Sequence, residues 1–336
     1  MKLKHILLTL LCLALLAAPA AAAGGAGTAA SPYIIQSPEE LQSVANDLSA
    51  YYALGNDIDM SGYSFTPIGS TAAPFHGSLD GRNHTIRNLN IDLPSTQYVG
   101  LFAVITAGTT IRDLNFADCT ISGGANTGTL YGRCIGISGV STPFTITDVD
   151  LTDCSITASG SNSGGLGGAD ASAAVGTISY CDVKNCTVTS ASYNVGGLLG
   201  FGSNSGGYSE IESNHVHDCV IESSASYAVG GLLGSGSSSD GSECYVRENA
   251  VENCVMTASY IVGGLLGSGS NSRGLTEIDG NAVENCTVKA RNSYAGGIAG
   301  CYYAAGFGNI TDCTVSNTTV QASSYAGGIC STFART

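Results

Sequence analysis

Residues 210 to 234 read EIESNHVHDCVIESSASYAVGGLLG, and the same skeleton returns seven times between Ile111 and the C-terminus. Each copy carries an Ile or Val, an alternating run, an Asp or Asn, usually a Cys, and an apolar residue two further on. Most copies close with Gly-Gly-apolar. With the Asp/Asn as anchor, the copies align at Asp118, Asp153, Asn185, Asp218, Asn253, Asn285 and Asn317, in steps of 32 to 35 residues. A fixed period in this range marks a solenoid or a propeller.

Around each anchor the apolar positions form columns. Ile111, Ile146, Ile178, Ile211, Val246, Ile278 and Ile310 stand seven residues before it. Phe116, Leu151, Val183, Val216, Val251, Val283 and Val315 stand two before, and Ile121, Ile156, Val188, Ile221, Met256, Val288 and Val320 three after. Apolar and polar residues alternate within each copy, the period of a half-buried strand, and most of the apolar ones are β-branched, which suits a pleated surface. A lone Asp or Asn between two such runs tolerates a left-handed backbone, so it reads as a bend. Gly196 to Leu198, Gly230 to Leu232 and Gly263 to Leu265 open a third strand, whose glycines either permit a corner or let backbones approach closely.

Three short strands and three turns per repeat of about 33 residues make one coil of an all-β, parallel β-helix, and crossover chirality makes it right-handed. About eight coils stacked ~4.8 Å apart give a rod roughly 40 Å long. A propeller with one blade per repeat is the alternative, but its usual period is about 40 residues or more.

The chain divides accordingly. Residues 1–23 (Lys2, Lys4, an apolar run, then small residues) read as a signal peptide, and 24–31 as a linker. Residues 32–66 are expected to cap the first coil. They hold a helix over 37 to 48 with Ser37 and Glu40 as a capping box, Pro38 at its first position, and Leu41, Val44 and Leu48 on one face. Residues 67–336 form the repeats. The last coil, from Val320 to Thr336, has no sequence resembling the N-terminal cap. That predicts end-to-end self-association or continuation into a longer chain, because open strand edges template pairing.

Several stretches resemble the GLUG-motif repeats: LGNDIDMSGYSFTPIGS (54–70), PFHGSLDGRNHTIRNLNI (74–91), and NVGGLLG, AVGGLLG and IVGGLLG at 194, 228 and 261. Such repeats occur in the non-catalytic β-helical region of bacterial immunoglobulin A peptidases and in haemagglutinin-like adhesins. The resemblance spans 33 to 330. It implies a secreted or surface-attached protein with a structural or adhesive role, and a surface protein or glycan as partner. The zinc-peptidase signature HExxH is missing from the sequence, as is a C-terminal sorting motif.

Composition narrows the chemistry. The chain has 46 Gly, no Trp, 11% charged residues and a net charge of −14, which becomes −16 without Lys2 and Lys4. The glycine content fits a turn-dense solenoid, and the acidic balance argues against nucleic acid or anionic membrane as partner. No apolar stretch after residue 23 is long enough to span a bilayer.

Twelve cysteines remain beyond residue 23. Cys119, Cys154, Cys186, Cys219, Cys254 and Cys286 share one inward column. They read as a stack of small buried thiols. Disulfides between adjacent coils are the alternative, strained by parallel Cβ vectors, and a linear stack offers no tetrahedral metal geometry.

His215 and His217 share one side of a strand at metal-ligand spacing. With Asp182, Lys184, Ala250 and Glu252 as column neighbours they read as a solvated pair. The glycine-rich loops 201–210 and 234–243 lack the repeated Asp of a calcium-binding array and read as plain turns. Outward acids (Glu212, Glu222, Glu248, Glu284) stand singly, whereas polysaccharide-cleaving β-helices need converging carboxylates. The expectation is therefore a non-enzymatic scaffold or adhesin-like module without a cofactor. A polysaccharide lyase or hydrolase is the alternative. An ice-binding array is a further one, on the rungs Thr120/Ser122, Ser155/Thr157 and Thr187/Thr189.

Overall fold

The computed structural model describes residues 24–136, 142–171, 174–203, 207–224, 227–237, 241–268, 275–301 and 307–331. Residues 1–23, expected to be a signal peptide, parts of both glycine-rich loops and the last five residues lie outside them. The described residues form a parallel β-solenoid of about seven complete turns, with one short helix near its N-terminal end. Among them, no helix is long and apolar enough to cross a membrane.

The apolar columns are the strand registers. Ile111, Ile146, Ile178, Ile211, Val246, Ile278 and Ile310 pair in succession. So do the columns from Phe116 to Val315 and from Ile121 to Val320. Each rung is about one strand spacing from the next, so every inward side chain packs on its own equivalent above and below. Ile178, Val183, Val188, Leu198 and Leu199 are at most 1% exposed.

The coil from Thr110 has the expected three strands, Thr110–Ala117, Thr120–Gly123 and Tyr131–Ile135, and the later coils are more finely divided. The coil from residue 175 has five: Val175–Ser179, Asp182–Lys184, Thr187–Ser190, Val195–Gly196 and Leu199–Ser203. One extra break is a further left-handed corner, at Tyr180, and the other falls at Gly197–Leu198 inside the expected glycine strand. Tyr180 (φ 56°) precedes the expected one at Asn185 (φ 50°), and Asn194 (φ 55°) follows it. The strands assort into a 16-stranded sheet and sheets of eight, seven and six strands.

The paired glycines work by close approach. A Cβ on Gly230 would stand 2.0 Å from the Leu233 carbonyl oxygen, and one on Gly231 2.1 Å from that of Gly264. Neither has a positive φ. Any side chain there would push the coil wall apart.

At the N-terminal end, Tyr33–Ile35 pairs in parallel with Tyr51–Leu54, which pairs with Ser78–Arg87 of the first coil. The helix is shorter than expected. It runs Pro38–Ser43, with Ser37 accepting from the Glu40 N–H, and passes into a 3-10 turn at Val44–Asn46. Val44, Asn46 and Asp47 are weak helix formers. Leu41 and Val44 are buried, and Leu48 packs at the margin of the core.

Candidate functional site

All seven anchors, Asp118, Asp153, Asn185, Asp218, Asn253, Asn285 and Asn317, take left-handed φ values between 48° and 57°. Some also bond along the stack: the Asn253 amide donates to Asp218 Oδ1 at 3.3 Å, and the Asn185 amide to Asp153 Oδ1. The next residue inward is the cysteine column, Cys119 to Cys286, each 1–2% exposed. The backbone N–H groups of Cys154, Cys186, Cys219 and Cys254 donate to the sulfur on the following coil at 3.3–3.4 Å. The thiols of Cys154, Cys186, Cys219, Cys254 and Cys286 lean towards the carbonyl two residues back at 3.0–3.3 Å. The exposed anchors turn the chain, and the cysteines behind them fill the corner and offer nothing to solvent.

The surface that offers most to a ligand lies one corner further on. Tyr193 and Tyr227 are 47% exposed and Tyr260 41%. Each follows the strand of the eight-stranded sheet, at a left-handed or tight corner before the glycine strand. Tyr193 and Tyr227 have ring centroids 5.0 Å apart, and Tyr227 and Tyr260 5.5 Å at an interplanar angle of 11°. Tyr294 and Tyr325 form a separate stacked pair in the last coils at 5.3 Å and 8°, one position further along, because Tyr294 is in register with Ile261. Ser161, Tyr193, Asn194, Tyr227 and Ile261 line a concavity of about 390 Å³. On the other side of the corner a second hollow of about 440 Å³ runs over Thr157, Thr189, Ser190, Glu222 and Ser223.

Sequence reasoning missed this ladder. Its signal was the Ser-Tyr dipeptide three residues before the paired glycines at Tyr193, Tyr227 and Tyr260; at Tyr294 and Tyr325 the same dipeptide stands one residue closer to them. The Thr rungs flank the second hollow, where the Thr189 hydroxyl lies 3.2 Å from that of Thr157. The outward column then passes to the exposed Val220 and Val255.

The two histidines occupy another face. His215–His217 is a three-residue strand paired with Asp182–Lys184 on one side and Ala250–Glu252 on the other. The structure brings Asp182 and Glu252 to the imidazoles: His215 Nδ1 is 3.4 Å from Asp182 Oδ1, and His215 Nε2 is 3.6 Å from Glu252 Oε2. Burial works against a charged His217, but hydrogen bonds that its ring donates to Asp218 and Asp182 hold its pKa above the ordinary imidazole value. Of the outward acids, Glu222 accepts from the Thr257 hydroxyl at 2.9 Å. Glu248 takes a left-handed corner with φ 55°.

The fold and this surface define a parallel β-solenoid with an exposed aromatic ladder. No family model matches the chain. It is 35% identical over 126 residues to halomucin from Haloquadratum walsbyi, covering 32% of this chain and 1% of that protein. It is 31% identical over 126 residues to a candidate Gly-rich membrane protein from Evansella cellulosilytica, covering 33% of this chain and 15% of that one. The chain thus spans a small part of the length of these curated relatives. Among solved structures, a candidate immunoglobulin A1 protease from Bacteroides ovatus superposes with a TM-score of 0.53 over 91% of this chain and 84% of the other, at 19% identity. At that identity the likeness concerns the fold alone.

Proposed function

We propose that this chain is a secreted or cell-surface, non-enzymatic β-solenoid of GLUG-type repeats, a scaffold that doubles as an adhesin-like binding module. The observation that carries the reading is the ladder Tyr193, Tyr227 and Tyr260. Exposed aromatic rings repeated about every 5 Å along a rigid rod form a stacking rail. That repeat is close to the length of one sugar residue in an extended glycan. Sugar rings present C–H faces to an aromatic plane and hydroxyls at the rim. The amide of Asn194 and the hydroxyl of Ser161 border the same concavity, and among the described residues no carboxylate lines it. Stacking without an acid or base suits retention of a ligand more than its cleavage. The names of the two curated relatives, a halomucin and a Gly-rich membrane protein, support a place at or outside the cell boundary.

A glycan array probed with residues 24–336 tests the reading. Saturable binding is expected, with Tyr227→Ala weakening it roughly tenfold, the scale of one good aromatic contact. The bound glycan should be recovered at its original length. A shortened glycan would place the protein among the polysaccharide-cleaving β-helices. Binding indifferent to Tyr193→Ala, Tyr227→Ala and Tyr260→Ala together would remove the ladder from the function.

A further inference from the structure

We propose that Asp182, His215 and His217 form a binding site for one divalent first-row transition metal, for which Zn²⁺ is the probe. Asp182 and His215 are paired in register on adjacent coils, and His217 is two residues along the same strand as His215. Val183 and Val216 between them are buried, so all three side chains face outward from rigid, hydrogen-bonded strands. One ligand atom from each lies within 4.8 Å of the other two. The imidazoles are nearly parallel, with centroids 4.3 Å apart and planes 14° apart, so they present nitrogens to the same side.

The hydrogen bonding around the trio sets which nitrogens are available. His217 Nδ1 is 2.8 Å from Asp218 Oδ2, and His215 Nε2 is 3.6 Å from Glu252 Oε2. Asp218 on the far nitrogen of a neutral His217 holds the N–H there and leaves Nε2 as a lone-pair donor, whereas Glu252 is beyond hydrogen-bond reach of His215 and favours the same tautomer by its charge alone. Those near atoms, His215 Nδ1 and His217 Nε2, stand 3.4 and 3.2 Å from Asp182 Oδ1. Asp182 Oδ1 is itself shielded from solvent and has no hydrogen-bond partner. With both rings neutral, three lone pairs converge on one small volume that a cation would fill; a proton on His217 Nε2, which lies 3.3 Å from Asp182 Oδ2, competes with the metal for it.

Two imidazoles and one carboxylate suit Zn²⁺, Ni²⁺ or Cu²⁺. Ca²⁺ and Mg²⁺ prefer all-oxygen cages. Asp218 and Glu252 then serve as the outer carboxylates that orient metal-bound histidines. Three protein donors leave at least one position open to water or a ligand atom. Lys184, in register with His217, is exposed and brings a positive charge beside the site, which opposes metal binding.

The test is calorimetric titration of Zn²⁺ into chelator-stripped protein (residues 24–336), with circular dichroism confirming each variant's fold. One equivalent should bind the wild type. Asp182→Asn, His215→Gln and His217→Gln should each weaken binding about 100-fold, and Asp218→Asn, which removes only the orienting carboxylate, about tenfold. Co²⁺ in place of Zn²⁺ should give visible d–d bands without sulfur-to-metal charge transfer, because the donors are nitrogen and oxygen. Excess Ca²⁺ should not compete. A thiolate charge-transfer band, binding unchanged in the histidine variants, or no saturable binding by the wild type would each overturn the site. Should a histidine variant misfold, Asp182→Asn and the Co²⁺ spectrum decide alone.

Discussion

Asn249 Oδ1 accepts two hydrogen bonds from Asn214 on the coil before it, from the backbone N–H at 2.9 Å and from the side-chain amide at 3.0 Å. Asn281 does the same for Asn249 at 2.9 Å each, and Asn214 Oδ1 takes the N–H of Cys181 at 3.0 Å. All three asparagines are 1% exposed. The amides also reach inward carbonyls, those of Ile178, Ile211 and Val246, at 2.8–3.0 Å. This column follows the left-handed corner at Ser213, Glu248 and Gly280, where the chain turns and an inward N–H loses its sheet partner. The asparagine ladder supplies the missing acceptor.

Replacing Asn249 by Leu keeps the number and branching of its side-chain heavy atoms and removes that acceptor. The Asn214 N–H and the Ile211 carbonyl are then buried without these bonds, at a cost on the order of 3 kcal/mol. The urea midpoint of Asn249→Leu should fall with little change in slope. An unchanged midpoint would mean that water or a shifted backbone supplies the lost partners.

The contrast between the two corners explains what the sequence could reveal. The apolar columns were legible because alternation and β-branched residues repeat on every coil, and each column became a strand register. The corner at Asn185 was legible because Asp or Asn fills it in every copy. The corner one strand earlier is filled by Tyr180, Ser213, Glu248, Gly280 and Asp312, which share no side-chain chemistry, so nothing marked it. Its inward partner column mixes buried Cys181 and half-buried Cys313 with three asparagines, and asparagine near a turn ordinarily reads as solvated. The tyrosine ladder was hidden differently. Its spacing is regular, but an aromatic ring before a glycine run gives no sign of facing outward. Asp182 was visible as a column neighbour of His215, yet only coordinates place its oxygen between two imidazole nitrogens.

Asn253, with φ 53°, tests the legible corner. A β-branched residue is strained in this conformation, so Asn253→Val should cost about 1–2 kcal/mol. Asn253→Gly should be nearly neutral, since glycine adopts the same backbone without a Cβ clash. Thermal midpoints ordered wild type, Gly, then Val are expected. Equal midpoints for Gly and Val would show that the cost lies in the lost side-chain bond to Asp218.

The cysteine column carries its own expectation. In protein purified under air, Cys186, Cys219 and Cys254 should resist a thiol reagent while folded, each being 1% exposed. They should label fully on unfolding without reductant. A disulfide between adjacent coils would pull a sulfur from the backbone N–H it now accepts, leaving a buried donor unpaired. Labelling that requires reductant would show that the coils are covalently joined.

The last expectation concerns Asp170, whose side chain is buried inside the rod at 1% exposure. The Tyr131 hydroxyl donates to Asp170 Oδ1 at 2.8 Å. Ser209 Oγ is 3.1 Å from Asp170 Oδ2 and 2.9 Å from the Gly202 carbonyl oxygen. Ser209 has one hydroxyl proton. If it goes to the carbonyl, which can only accept, the contact with Oδ2 needs a proton from Asp170 itself. Burial accordingly raises the Asp170 pKa to about 7, against the opposing hydrogen bonds of Tyr131 and Ser209. An unfolded Asp titrates near 3.9, so between about pH 4 and pH 7 the folded chain keeps a proton that the unfolded chain has released. Stability from this group must therefore fall as pH rises through that window and stay low above it. Asp170→Asn mimics the protonated form, accepting from Tyr131 and donating to Ser209 with no charge to bury. Relative to wild type it should be more stable at pH 8, by up to about 4 kcal/mol, and the gap should close towards pH 4. Thermal midpoints of both proteins across this range give the difference directly. Parallel curves would mean that Asp170 carries no folded-state proton.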